Sequence, residues 1–371
     1  MSIYTRLMRP LLFRLNAELV HQSTVEACCW AGWMPGMKSI AQAMLESQSP
    51  DLQIEVAGLR FANPLGLAAG WDKSGRALHM LNHLGFGFAE IGSISAQPSL
   101  GNPRPRLFRI TDERAIVVNY GLPNDGAQIV AKRLAKHRPR IPLGVNIVTT
   151  NHGPTAPLCS ADEILADYVQ SVSLVHQHAS YLTLNLSCPN ALDGRDFFAL
   201  PGRIAELLER LRAFSIQCPV FLKLPPSEDA GDHERWLTEV EEFDFVRGFM
   251  FNLAPGKPQW LHWKHPQSDW SNMPGAVSGA PVAARINSCI AGLASRMDRQ
   301  RYAIIGGGGV FSAEDAWQKI ERGAALVQIY TALIYEGPGI VRRINKGLSS
   351  RLRERGMNHL SEAVGSALKD H

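Results

Sequence analysis

The sequence predicts an α/β fold, a (β/α)8 TIM barrel with an N-terminal helical extension and an inserted hairpin over the barrel mouth, and three observations carry that expectation. Eight short apolar or β-branched runs recur from about residue 64 onward. Amphipathic segments separate them, which is the pattern of strand–helix units repeated around a parallel sheet. Polar residues recur where the runs end, at Asp72 and Lys73, Ser93, Asn146, Asn185, Lys223, Asn252 and Tyr330. C-terminal strand ends are the rim on which such barrels carry their chemistry. A doubly wound open sheet is the competing architecture; both the number of units and the recurrent polar strand ends argue against it.

Residues 1–48 precede the barrel and read as two helices. The first places Tyr4, Leu7, Met8, Leu11, Leu12 and Leu15 on one face and arginines on the other. That apolar face either packs on its own barrel or docks on a membrane surface. Residues 49–371 form the barrel unit. Its strands are expected at Leu65 to Trp71, Gly87 to Ile94, Pro142 to Val148, Tyr181 to Ser187, Pro219 to Leu224, Gly248 to Leu253, Ala303 to Val310 and Leu326 to Ala332. Apolar periodicity places helices at roughly 73–84, 124–137, 161–177, 200–217, 281–296 and 312–322. The stretch Ala96 to Tyr120 holds Gly101, Asn102, Pro103 and Pro105 before the alternating run Leu107 to Ile110, and reads as the inserted hairpin.

Composition narrows the function classes. With 371 residues, 45% hydrophobic and 19% charged, the chain can bury one large core, and such barrels routinely take this length as a single unit. A net charge of +4 spread along the chain does not point to nucleic acid. The six cysteines (Cys28, Cys29, Cys159, Cys188, Cys218, Cys289) show no paired spacing, so neither a disulfide framework nor a structural zinc site is expected. His152, His262 and His265 lack carboxylate or thiolate company at useful spacing and read as structural or surface residues, with no metal. Arg6, Arg9 and Arg14 break the N-terminal apolar stretch, which disfavours export and membrane crossing. The expected location is cytoplasmic, with peripheral attachment to the inner face of the cell membrane as the variant the first helix allows.

The strongest cofactor signal lies in the C-terminal third, where Ile304-Ile305-Gly306-Gly307-Gly308-Gly309-Val310 is followed by one helix and then Val327-Gln328-Ile329-Tyr330-Thr331. Glycines after a buried strand let backbone amides approach a phosphate, and barrels of this type bind phosphate after strands seven and eight. A dinucleotide fingerprint is the alternative for a glycine-rich turn, but the spacing here lacks G-x-G-x-x-G and falls late in the chain.

Four spaced motifs in order then carry a resemblance covering nearly the whole chain. They are Asn63-Pro64-Leu65-Gly66-Leu67-Ala68-Ala69-Gly70-Trp71-Asp72-Lys73, Asn185-Leu186-Ser187-Cys188-Pro189-Asn190, Ser278-Gly279-Ala280-Pro281 and Gln328-Ile329-Tyr330-Thr331. Together they resemble the dihydroorotate dehydrogenases. The resemblance implies an FMN oxidoreductase of pyrimidine biosynthesis that moves hydride from substrate to flavin N5 while a side-chain base removes the neighbouring proton. By the same resemblance, Ala69, Gly70, Ser93, Asn146, Asn185, Lys223, Gly279, Gly308, Tyr330 and Thr331 fall where the family contacts FMN. Lys73 matches the lysine near both flavin and substrate, and Asn119, Asn185, Asn190 and Asn252 are the candidate substrate-binding amides. Cys188 matches the base.

The resemblance is a hybrid of two classes. A cysteine base and Gly121-Leu122-Pro123-Asn124 resemble the family's soluble class. The N-terminal helices with His21, and Arg104-Pro105-Arg106-Leu107-Phe108-Arg109, resemble the membrane-associated, quinone-using class, in which they form the quinone entrance. A thiol titrates closer to neutrality than a hydroxyl, so it needs less help to accept a proton.

Departures from the family pattern gather in the substrate layer. The expected substrate asparagine falls on Val118, with Asn119 one position later; a hydroxyl residue after Asn252 is replaced by Leu253; and Val148-Thr149-Thr150-Asn151 and Ala191-Leu192-Asp193-Gly194-Arg195 are also altered. Three functions follow as expectations. The first is oxidation of dihydroorotate or a related small amide, with electrons leaving to a quinone or another acceptor. The second is a diverged enzyme on a different, less polar substrate. The third is a flavin-binding protein without turnover.

Overall fold

The computed structural model describes residues 3–47, 49–137, 139–153, 155–189, 196–264 and 269–368. In chain order its strands are β1 (Ile54–Val56), β2 (Leu59–Phe61), β3 (Leu65–Leu67), β4 (Phe88–Ile94), β5 (Leu107–Ile110), β6 (Ala115–Val118), β7 (Leu143–Ile147), β8 (Tyr181–Asn185), β9 (Val220–Leu224), β10 (Val246–Phe251), β11 (Ala276–Gly279), β12 (Ala303–Gly306) and β13 (Ala324–Ile329). Eight of these close a barrel in the order β3-β4-β7-β8-β9-β10-β12-β13, and every barrel pair is parallel. All eight expected runs therefore supply barrel strands. Most strands are shorter than the apolar runs, because residues at the rim leave the ladder to line a cavity; β3 stops at Leu67, although the run continues to Trp71.

Alternation along the strands builds the interior in layers. At the floor, the rings of Phe88, Tyr181 and Phe221 pack with Met250 and Ile305, and the β1–β2 hairpin seals this layer from below with Val56 and Phe61. Glycines make room for the rings: a Cβ on Gly66 would stand 2.3 Å from the Phe88 ring, and one on Gly144 2.2 Å from that of Tyr181. One step up come Glu90, Asn146 and Thr183, all fully buried, with Gln328 beside them. At the top, Asn185, Lys223, Asn252 and Tyr330 face the cavity.

The outer helices bury one stripe each. The helix Arg203–Arg212 buries Ile204, Leu207, Leu208 and Leu211 at helical spacing. Ser160 caps Ala161–Val175 in a box with Glu163, and Ser312 caps Ala313–Glu321. The expected helix over 73–84 shrinks to Leu78–Leu81, because the Asp72 carboxylate takes the backbone N–H groups of Ser74, Arg76 and Ala77 and holds the preceding segment as a loop. Two long helices fall outside the expected set, Ala230–Val240 and Ile340–Glu354. The latter buries Ile340, Val341, Ile344, Leu348 and Leu352 between arginines, a stripe that follows the last strand rather than linking two.

The hairpin forms as expected from β5 and β6, and gains a third strand: β11 pairs antiparallel with β6, from Ala276 opposite Val118 to Gly279 opposite Ala115. The N-terminal segment forms a helical stretch from Tyr4 to Leu12 and helices Ala17–Ala31 and Met37–Leu45. The first stretch docks through its polar groups: Tyr4 OH donates to the Ile334 carbonyl and Arg9 to that of Tyr335, while Leu7, Met8, Leu11 and Leu15 are exposed. That face is therefore divided: Tyr4, which meets the barrel, and Leu12 are half-buried, and the other four side chains are exposed.

Candidate active site

The barrel mouth holds a cavity of roughly 1240 Å³, its open entrance included. Strand ends supply Ser93 from β4, Asn185 from β8, Lys223 from β9 and Asn252 just after β10. Loops supply Ala69, Gly70 and Lys73 after β3, Cys188 after β8, Gly307 to Val310 after β12, and Tyr330 and Thr331 after β13. The hairpin supplies Val118, Tyr120, Gly121 and Leu122, and β11 supplies Ser278.

Of the flavin positions expected from the sequence, Ala69, Gly70, Ser93, Asn185, Lys223, Gly308, Tyr330 and Thr331 line the cavity. Asn146 is fully buried beneath it, and Gly279 stands behind it, its carbonyl beside Gly309. Lys73, Cys188 and Asn252 line the cavity too. Asn119 does not: its carboxamide oxygen accepts from Asn102 at 3.0 Å, and Val118 occupies the wall in its place. The one-residue offset turns the amide to the other side of the strand end. Asn190, His265 and the altered segment 191–195 lie outside the described residues. His152 and His262 are exposed.

A single hydrogen-bond chain organises the polar wall. Asn146 Nδ2 donates to Glu90 at 2.9 Å, Ser93 Oγ donates to Asn146 Oδ1, and Asn185 Nδ2 donates to Ser93 Oγ at 3.2 Å. Asn252 Nδ2 then donates to Asn185 Oδ1 at 2.8 Å, and Asn252 Oδ1 accepts from the Leu253 N–H at 2.9 Å. Gly92 allows the close approach of β4 to β7 here: its φ is +109°, and a Cβ there would lie 2.5 Å from the Asn146 backbone carbonyl oxygen.

The hydrophobic side chains packed on the thiol form a small cluster of their own. Cys188 is buried against Val148, with Leu122 packed on both, and Val118 and Leu253 continue the surface.

The electrostatics favour anions. The described lining contains Lys73 and Lys223 and no carboxylate. Lys73 Nζ sits 2.7 Å from His21 Nε2 and 4.1 Å over the Tyr120 ring, which Arg106 approaches at 5.4 Å. Burial pulls the Lys73 ammonium down to about 7, against the pull of Asp72 and Glu18. Burial, and then the Lys73 charge, hold His21 well below its usual value, so the imidazole accepts from the ammonium. His21 also comes within 3.4 Å of the Tyr330 hydroxyl. A second cavity opens on the far side of Lys73 and Tyr120, bounded by Glu18, His21, Gln22 and Val25 of the N-terminal helix and by Arg104, Arg106, Leu100 and Ile129. Arg106 is held there by Glu18 at 2.8 Å and by the carbonyls of Leu100 and Asn102.

The residues present fit a phosphate-bearing flavin. Gly308 and Gly309 take φ of +78° and +73°, and a Cβ on Gly309 would stand 2.5 Å from Ala283, so only glycine leaves this turn open as a backbone cradle. The amides of the polar wall and the two lysines face the same space. The sequence signals missed Glu90 and Tyr120. Glu90 was visible as a carboxylate inside the otherwise apolar run Gly87 to Ile94; for Tyr120 no sequence signal existed, because its role comes from two cations brought from distant segments.

Comparison with known proteins converges on the same chemistry. The family model for dihydroorotate dehydrogenase matches residues 51–352. The dihydroorotate dehydrogenase (quinone) of Gloeobacter violaceus is 37% identical over 374 residues, covering 99% of each chain. That of Mycobacterium tuberculosis is 37% identical over 361 residues, covering 97% of this chain and 98% of the relative. Crystal structures of the Eimeria tenella DHODH superpose with TM-scores of 0.81 (in complex with ferulenol, 27% identity, 95% of each chain) and 0.80 (ligand-free, 26% identity, 95% of this chain and 99% of that one). With a glycine- and amide-lined cavity at the barrel mouth and relatives matched from end to end, this chain belongs to the dihydroorotate dehydrogenase family of flavin-dependent oxidoreductases.

Proposed function

We propose that this chain oxidises dihydroorotate, or a closely related small cyclic amide, at a CH–CH bond on bound FMN, with Cys188 as the base and a quinone as the electron acceptor. The observation that carries the reading is that Cys188 opens into the same cavity as Lys73, Lys223, Asn185, Asn252 and the Gly307–Gly309 turn. When bound, FMN supplies the hydride acceptor. The protein's own groups do the rest. Cys188 takes the proton from the carbon next to the one that gives up hydride. Asn185 and Asn252 offer amide donors and acceptors to a cyclic amide, Lys223 balances negative charge on the reduced cofactor, and Lys73 favours an anionic reactant. Gly307–Gly309 would hold the phosphate, with Ser278 and Thr331, whose hydroxyls lie 3.0 Å apart, alongside.

For the acceptor, support comes from the second cavity, which meets the first at Lys73 and Tyr120, and from the relatives' quinone specificity. Residues 1–48 then serve as the access element. Eleven of the fifteen large apolar side chains exposed among the described residues lie between Ile3 and Met44, including Leu7, Leu11, Trp30 and Trp33. A face of that kind suits docking at the cytoplasmic membrane surface. No helix among the described residues is long and apolar enough to cross a membrane.

Purified protein should be yellow with FMN, bleach when mixed anaerobically with dihydroorotate, and recover its colour with a soluble quinone. Failure to bleach with any cyclic dihydro-amide rejects the activity. A second reading is favoured by Val118, Leu122, Val148 and Leu253, which give the thiol an apolar surround: the preferred reductant then has a less polar edge than dihydroorotate. A panel in which an alkyl-substituted dihydro-amide outpaces dihydroorotate would select it.

A further inference from the structure

Beneath the cavity, inside β4, lies a carboxylate that the proposed chemistry does not use. Glu90 is fully buried, and its four hydrogen-bond partners are all neutral donors: Asn146 on one oxygen at 2.9 Å, and Thr183, Gln328 and Tyr181 on the other at 3.0, 3.1 and 3.2 Å. A carboxylate accepts and cannot donate, so Asn146 must turn its NH2 toward Glu90 and its carbonyl toward Ser93. Ser93 then spends its single proton on that carbonyl and is left to accept from Asn185. Asn185 in turn faces its carbonyl to Asn252. Each link has one orientation open to it once its predecessor is set, and the far end agrees, because Asn252 Oδ1 takes the Leu253 N–H. Carboxamide groups are nearly symmetric in shape, so packing alone discriminates poorly between their two flipped states; the donor–acceptor pattern decides.

We infer that Glu90 is a positioning residue: its charge fixes the flip states of Asn146, Asn185 and Asn252 in relay through Ser93, and so sets which edge of the cavity-lining amides Asn185 and Asn252 meets the flavin and the reductant without touching either. In the low-dielectric barrel interior the aligned links polarise one another, and the charge-assisted first bond is the strongest. Replacing the carboxylate with a carboxamide, which can present either a donor or an acceptor to Asn146, removes the constraint at one end of the relay.

The test reads the relay in the ligand-free protein and through cofactor binding. In protein carrying 15N-asparagine, Glu90→Gln should displace the side-chain NH2 resonances of Asn146 and of Asn185, which Glu90 does not touch. In a Ser93→Ala background the same change should move Asn146 alone. FMN affinity, titrated into apoprotein by fluorescence quenching, should weaken about tenfold in Glu90→Gln, as expected for losing a hydrogen bond to a charged group. The Ser93→Ala background should reduce that further loss to under about twofold, the mark of coupling through one chain. Thr183→Val removes a donor from the other oxygen and leaves the relay intact, so it should reproduce neither effect; if it matches Glu90→Gln, packing is responsible and the inference falls. It also falls if Asn185 stays unmoved while Asn146 shifts, or if the two substitutions act independently. Should Glu90→Gln not fold, Ser93→Ala alone must free Asn185 and leave Asn146 in place. The affinity arm rests on the FMN reading and the resonance arm does not, so protein that refuses FMN yet transmits the shift would sink that reading and keep this one.

Discussion

The two ends of the barrel are made from the same strands and share almost no chemistry. At the floor, Phe88, Tyr181 and Phe221 pack as rings over backbone where Gly66, Gly144 and Gly248 carry no side chain. At the mouth, two or four residues further along those strands, the inward positions are Asn185, Lys223 and Asn252, and the glycines shape turns instead of making room for rings. The floor spends its residues on closure and the mouth on a shaped, cationic, hydrogen-bonded cavity. Within the mouth the contrast repeats, between the hydrogen-bonded amides of Asn185 and Asn252 and the packing of Val148 and Leu122 on Cys188.

Substitutions at the two ends should therefore separate activity from stability. The largest effect is expected for Cys188→Ser, which should slow anaerobic flavin reduction on the order of 10²-fold, as for loss of an effective base. Flavin content and melting temperature should hold; parallel loss of flavin would make the thiol a structural residue. Next, Val118→Asn with Leu253→Thr restores polar groups to the apolar wall. If the native wall is matched to a less polar reductant, the kcat/KM for dihydroorotate should rise about tenfold, the worth of one to two well-made hydrogen bonds. A fall would show that the native apolar wall already serves dihydroorotate.

At the other end, Gly66→Ala drives a Cβ into the Phe88 ring and should cost about 1–3 kcal/mol by overpacking, read as a lower unfolding midpoint in denaturant with flavin reduction near wild-type rate. The last effect belongs to neither end. His137 packs beside His79 outside the barrel, and burial, then His79 and Lys38, pull its imidazole down to about 4. Below the unfolded value near 6.5 the unfolded chain holds the proton that the folded state resists. Stability should therefore fall as pH drops from about 6.5 to about 4, and His137→Gln should flatten that decline in thermal melts taken across the range.

The floor was far less legible than the mouth. Gly66 and Gly144 read as ordinary strand glycines in the sequence, since only the ring of the adjacent strand explains them. Cys188 and Lys223 could be singled out because each sits in a short motif whose neighbours are fixed by the chain. Asn119 shows the limit: it lies one position from the expected amide, and the ladder of β6 with β5 and β11 leaves Val118 in the wall while Asn119 turns to Asn102. The apolar stripe of the first helix was likewise readable, but which face meets the barrel depended on Tyr4 and Arg9 finding the carbonyls of Ile334 and Tyr335.

By itself the sequence determined the number and order of the barrel strands, the glycine turn late in the chain and the identity of most rim residues, because strand period, turn chemistry and motif spacing are local properties. Only the tertiary structure decided that a hydrogen-bond chain runs from Glu90 to Leu253, that Lys73 and Arg106 both approach the Tyr120 ring, and that His21 closes on Lys73. Those contacts join residues from separate strands and segments, and their energies depend on burial and direction, which exist only once the barrel has closed.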